Sequence, residues 1–103
     1  MNSLYIDTSD NKKTIITLSG RISKIVENET IQRGSQVVLP TIEKMLEKNN
    51  LTIDDVTEIQ VHTGPGSFTG LRVGIAIAQA LGFAKKISVN GKNIGEYIDP
   101  QYT

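Results

Sequence analysis

Between Phe68 and Lys85 the sequence reads FTGLRVGIAIAQALGFAK, and small residues recur at Gly70, Gly74, Ala78 and Gly82. A helix brings every fourth residue to nearly the same face, so these four form one stripe with nothing larger than a methyl group. Each glycine disfavours a helix by roughly 1 kcal/mol relative to alanine, so the stripe weakens its own element unless something packs closely against it. Leu71, Val73, Ile75, Ile77 and Leu81 occupy the other faces, interrupted by Arg72 and Gln79. A helix apolar almost all round is buried on more than one side. A sheet covers one side; either the chain's other helix covers the rest, or a partner does, and the apolar excess favours the partner.

At 103 residues the chain has the size of one domain with one core. Its 11 basic and 11 acidic residues leave no net field to attract nucleic acid or a membrane surface. The absence of cysteine excludes disulfides, thiolate metal sites and cysteine nucleophiles. The start, MNSLYIDTSDNKK, has no basic segment leading into an apolar one and does not read as a signal peptide. The apolar run from Val73 to Ala84 is shorter than the roughly 18 to 20 residues that span a bilayer. A soluble, cytoplasmic protein without membrane contact is expected.

Leu4 and Ile6 flank Tyr5 ahead of the turn formers Asp7, Thr8 and Ser9, which predicts a first strand over 3–7. TIITLSG and RISKIVEN read as a second and third strand joined around Ser19 and Gly20. Val38, Ile42, Met45 and Leu46 then follow helical spacing, predicting a helix over 35–48 with Pro40 about one turn in. A fourth strand is expected near 58–62, a second helix over 68–84, and a short fifth strand in KKISVNG, followed by a polar tail over 91–103. The order βββαβαβ describes an α/β domain with a mixed five-stranded sheet and two main helices. It matches the ribonuclease H-like arrangement that nucleases share with the lobes of actin-like ATPases.

The turn Gly64-Pro65-Gly66 before the second helix fails three phosphate or nucleophile patterns. A P-loop needs a lysine that is absent between Lys48 and Lys85; the dinucleotide spacing does not fit Gly64, Gly66 and Gly70; a nucleophile elbow does not fit Gly66-Ser67-Phe68-Thr69-Gly70. An anion at the helix N-terminus remains as one reading, and a simple cap by Ser67 or Thr69 as the other. A metal-dependent nuclease would place a carboxylate at Asp7, but the fourth strand ends in His62 and Thr63, and Glu43 and Glu47 read as solvated helix charges. His62 is the single histidine, so a histidine-paired metal site has no second ligand.

GPGSFTGLRVGIAIAQALG, with LYIDTS before it and SQVVLPTIEKML between, resembles the N-terminal lobe of the TsaB (YeaZ) family over about residues 3–90. That family belongs to the actin-like superfamily and partners the catalytic subunit TsaD in making threonylcarbamoyladenosine at position 37 of ANN-reading tRNAs. The resemblance implies a non-catalytic subunit that docks on a TsaD-like protein through its two helices, in a complex that includes a TsaE-like ATPase. It implies contact with tRNA only indirectly, and a homodimer as the resting form. ATP or ADP and metal are then expected on the TsaD-like partner or at the shared complex, with no cofactor on this chain alone. The interface residues so implied are Val38, Ile42 and Met45 on the first helix and Gly70, Leu71, Gly74, Ile75 and Ala78 on the second. Asp7, Thr8 and Ser9 are the implied phosphate-facing loop, while Gly64, Gly66 and Ser67 belong to the anion reading of the helix N-terminus. Two departures stand out: Gly34 replaces a histidine common in the family, and the usual second lobe is absent, the tail reading as the end of a one-lobed form. A ribonuclease H-like nuclease and a stand-alone homodimeric module are the alternatives.

Overall fold

A computed structural model of the chain describes residues 2–9, 14–20, 26–31, 38–66 and 68–101, with backbone alone at 26–31, 68 and 69. Strands β1 (Asn2–Asp7), β2 (Thr14–Gly20), β3 (Val26–Ile31) and β4 (Val56–Val61) form one sheet in the order β3-β2-β1-β4. β1 and β3 run antiparallel to β2, and β4 runs parallel to β1. Helix α1 (Val38–Lys48) connects β3 to β4, and α2 (Phe68–Lys85) follows β4.

The register lines up the apolar side chains. Leu4 stands between Leu18 and Ile59, and Ile6 between Ile16 and Val61, so two apolar rows cross the sheet on one face. Five of these six are fully shielded and Val61 nearly so, whereas Ser3, Tyr5 and Asp7 point to the other, half-exposed face. Val56 and Ile59 lie three apart yet both face inward. A bulge lets this happen: Asn2 pairs with Val56 and Ser3 with Glu58, leaving Thr57 as the extra residue, whose hydroxyl donates to the Asn2 carbonyl at 3.2 Å.

Both helices cover the apolar face, α1 over β2 and β3 and α2 over β1 and β4. α1 buries Val38, Ile42, Met45 and Leu46, as its spacing predicts; the expected first residues 35–37 lie outside the described residues. It ends in a Schellman motif. Asn50 adopts φ 59°, the Leu51 N–H donates to the Leu46 carbonyl at 2.8 Å, and the Asn50 N–H to Glu47 at 3.0 Å. α2 ends in a similar way, with Lys86 at φ 56° and the Ile87 N–H donating to the Gly82 carbonyl at 2.8 Å.

The small-residue stripe turns inward. A Cβ built on Gly74 would stand 2.3 Å from Thr8 Oγ1, and one on Gly82 would stand 2.6 Å from Val89 Cγ2 and 2.7 Å from the Ile87 carbonyl oxygen. Ala78 is fully shielded. The close approach expected of a partner is therefore made by the chain itself, by the end of β1 at one end of the stripe and by the segment after α2 at the other.

Three expectations change. The third strand lies at 26–31 rather than 21–28, and Ser19 and Gly20, where the join was expected, belong to β2 and pair with Ser3 and Asn2; residues 21–25 lie outside the described residues. The sheet has four strands among the described residues, because KKISVNG contributes a single parallel bridge between Val89 and Ile59. Asn90 and Gly91 both take positive φ, at 53° and 72°, and the Lys92 N–H donates to the Val89 carbonyl at 3.0 Å. That Asn-Gly turn reverses the chain before a fifth strand can extend. Nor do the described residues after 90 form a tail apart from the domain: Ile98 is 2% exposed within the common core, and the Gln101 N–H donates to the Thr63 carbonyl.

Gly82→Ala distinguishes packing from propensity. Alanine gains about 1 kcal/mol as a helix former, whereas forcing a methyl against a backbone carbonyl costs about 1–3 kcal/mol. We expect a net loss of about 1 kcal/mol in urea unfolding; a midpoint equal to or above that of the parent would overturn the close-approach account.

Candidate functional site

The C-terminal ends of β1 and β4 and the beginning of α2 converge at one end of the sheet, where the sequence places its polar loops. Asp7 closes a tight turn: its Oδ1 accepts the Ser9 N–H at 2.9 Å. Thr8 is 3% exposed, and its hydroxyl donates to the Gly70 carbonyl in the first turn of α2. Gly66 lies on Ser9, where a Cβ would stand 2.5 Å from Ser9 Cβ, and Gly64, at φ 143°, lies against the Gln101 backbone. The glycines of the turn thus serve backbone-to-backbone packing. Ser67 lies outside the described residues.

On the outer face, His62 ties this turn to the sheet. Its N–H extends the β1–β4 ladder to the Ile6 carbonyl at 2.9 Å. The imidazole Nε2 lies 3.0 Å from the Pro65 carbonyl oxygen, and Nδ1 lies 3.4 Å from the Tyr5 hydroxyl. A carbonyl can only accept, so Nε2 carries the hydrogen, and in the neutral ring Nδ1 accepts from Tyr5. Burial, and secondly the nearby Asp7 carboxylate, push the Tyr5 phenol above its ordinary value. Tyr5 therefore stays protonated through neutral pH and is the donor to His62.

For an anion, the arrangement is self-contained. Thr8 directs its hydroxyl at Gly70, Asp7 aims a carboxylate into the loop, and Gly64 and Gly66 are filled against the chain's own backbone. Among the described residues no three of His, Asp and Glu come close enough to hold a metal ion. Asp7 faces its own loop, and Glu43 and Glu47 are exposed on α1, so these carboxylates do not converge on a nuclease-type centre.

The implied interface residues form the core. Val38, Ile42, Met45, Leu71, Ile75 and Ala78 are each at most 5% exposed, Gly74 is buried against Thr8, and Gly70 gives its carbonyl to Thr8. A partner approaching these helices meets their other faces. On α2 those are Ala76, Ala80 and Ala84, an exposed every-fourth series of small apolar residues, with Phe83 71% exposed beside them. On α1 Leu39 is 42% exposed. Between the helices lies an open groove of about 520 Å³, floored by Leu39, Ile42, Leu46, Leu51, Ile53 and Leu81 and flanked by Glu43, Glu47 and Lys85. The alanine series was visible in the sequence at the same spacing as the glycines; only the fold shows which of the two points outward.

A mixed sheet with a parallel crossover and two helices on one face is a lobe of the actin-like, ribonuclease H-like class of α/β proteins. The model of the family described as TsaD, tRNA N6-adenosine threonylcarbamoyltransferase, matches residues 14–93, and the chain belongs to that family, on the side of its TsaB (YeaZ) members. It is 31% identical over 88 residues to the tRNA threonylcarbamoyladenosine biosynthesis protein TsaB of Buchnera aphidicola subsp. Schizaphis graminum, covering 85% of this chain and 42% of that protein. It is 38% identical over 87 residues to TsaB of Haemophilus influenzae, covering 84% and 36%. The structure of YeaZ from Pseudomonas aeruginosa superposes with a TM-score of 0.77 at 27% identity, over 85% of this chain and 41% of that one. The chain thus spans about two fifths of the length of the curated relatives it matches.

Tyr5 gives a pH test. A tyrosine whose folded value is raised binds its proton more tightly in the native than in the unfolded state, so its contribution to stability falls as pH rises above about 10. The chain has three tyrosines. Subtracting the tyrosinate absorbance titration of Tyr5→Phe from that of the parent should leave a component with its midpoint above 10. The variant should also lose less stability across the alkaline range. A difference midpoint at or below 10 would remove the assignment of Tyr5 as the donor to His62.

Proposed function

We propose that this chain acts as a non-catalytic partner lobe in the complex that forms N6-threonylcarbamoyladenosine at position 37 of tRNA, docking on a TsaD-like subunit through the outer faces of α1 and α2. The observation that carries the reading is the open apolar groove between the helices together with the alanine ridge of α2. Small residues along a ridge let a second helix approach to the 8–10 Å typical of packed helices, and leucine and isoleucine side chains on the groove floor supply apolar area to bury. The relatives' names supply the pathway, and the self-contained loops at the sheet end support a role in docking rather than chemistry.

In this reading nucleotide and metal belong to the TsaD-like subunit, a TsaE-like ATPase joins the same assembly, and tRNA meets this chain only indirectly, in keeping with its balanced charge. A second copy of the chain competes for the same surface and gives the resting dimer. No helix among the described residues is long and apolar enough to cross a membrane; the proposed place of action is the cytoplasm, where tRNA is modified.

Ala80→Glu and Leu39→Glu test the surface. Both positions are exposed, so folding stability should stay within about 0.5 kcal/mol of the parent. Each should weaken co-elution with a co-expressed TsaD-like subunit on size exclusion, by about tenfold or more in affinity. Unchanged co-elution of both variants would exclude this surface, and a parent that never co-elutes would exclude the partner role itself.

A further inference from the structure

Asn90-Gly91 is the one Asn-Gly pair in the sequence, and it sits where the sheet's last pairing ends. The Ile59 N–H donates to the Ser88 carbonyl at 3.1 Å, and the Asn90 N–H to the Ile59 carbonyl at 2.8 Å. There the backbone turns away, and the Asn90 side chain continues the ladder in its place. Its Oδ1 accepts the Val61 N–H at 2.7 Å, and its Nδ2 donates to the Val61 carbonyl at 3.1 Å. One side-chain amide thus stands in for a peptide group of the missing strand. Both polar groups of Val61 are satisfied by it, and Val61 is 4% exposed.

The same amide is chemically labile. Gly91 is exposed, a Cβ there would meet nothing within 4 Å, and as a glycine it sets no side chain beside the nitrogen that would attack. When the Asn90 side chain leaves Val61, the Gly91 nitrogen can attack Asn90 Cγ. A C–N bond forms, the Cγ–Nδ2 bond breaks, and ammonia leaves carrying the proton given up by Gly91. Water then opens the cyclic imide at either carbonyl, yielding aspartate or isoaspartate. While Oδ1 and Nδ2 are held by Val61, Cγ is held away from this reaction.

We propose that Asn90 is a deamidation site gated by the edge of the sheet, so that modification records each opening of the β4 edge and then prevents its proper closure. An aspartate at 90 still accepts from the Val61 N–H but has no hydrogen to donate to the Val61 carbonyl, and its charge faces that oxygen. Isoaspartate adds a backbone atom to the turn that brings the Lys92 N–H to the Val89 carbonyl. The damage spreads to α2, because Val89, paired with Ile59 at this edge, packs on Gly82.

The test incubates the full chain in mildly alkaline buffer, folded and in denaturing urea, and follows loss of the Asn90 amide by peptide mass spectrometry. The folded chain should deamidate at least about tenfold more slowly, since opening of the edge must come first. In parallel, hydrogen exchange on Asn90→Asp should show reduced protection of the Val61 amide. Equal rates in the two states would overturn the gating, absence of reaction in urea would overturn the site, and parental protection of Val61 in Asn90→Asp would overturn the consequence.

Discussion

The seat of α2 on the sheet is the contact on which the rest of the fold depends. Gly74 admits Thr8 at the end of β1, and Gly82 admits Ile87 and Val89, so the helix axis lies closer to the backbone beneath it than any side chain beyond a hydrogen would allow. Two glycines cost about 2 kcal/mol of helix propensity. Tight packing of many atoms at short range offsets this, since dispersion contacts are individually small and collectively large. With α2 at this height, Thr8 can reach the Gly70 carbonyl, the Gly64–Gly66 turn can lie on Ser9 and Gln101, and Ile98 can enter the core from the returning segment.

This seat also divides α2 by face. Gly74, Ala78 and Gly82 look inward, and Ala76, Ala80 and Ala84 outward. An apolar helix on a small domain cannot hide every face, and here the unhidden face is built of methyl groups beside a groove lined by leucine and isoleucine. One helix thus holds the lobe together with its glycine side and offers a smooth ridge with its alanine side. The polar end of the sheet behaves differently: Tyr5, His62 and Pro65 form one hydrogen-bonded line that fixes the turn leading into that helix.

Strong local patterns were legible because their cause is local. Leu4 and Ile6 alternate with Tyr5, and Val38, Ile42, Met45 and Leu46 repeat at helical spacing, so β1 and α1 appear where expected. The expected fifth strand does not extend for a reason that is also local: Ile87 and Val89 favour a strand, yet Asn90-Gly91 turns the chain after one bridge. The segment after 90 looked like a polar tail because composition averages over Ile98, whose burial depends on its arrival beside residues distant in sequence. At the site, Asp7, Thr8 and Gly66 are brought together as their loop character implied, but their partners are one another and α2.

By itself the sequence determined that α2 would be a helix with one face requiring close approach, that β1 would be buried on one side, and that the chain is an actin-like lobe related to TsaB. Each follows from spacing or from a contiguous motif, which a linear string preserves. The tertiary structure decided what makes the close approach, and thereby which face of α2 remains outside. The glycine and alanine series have the same period and differ by two residues, a rotation of about 200°. Periodicity contains no origin for that rotation; only the position of Thr8 and Val89 in space supplies one.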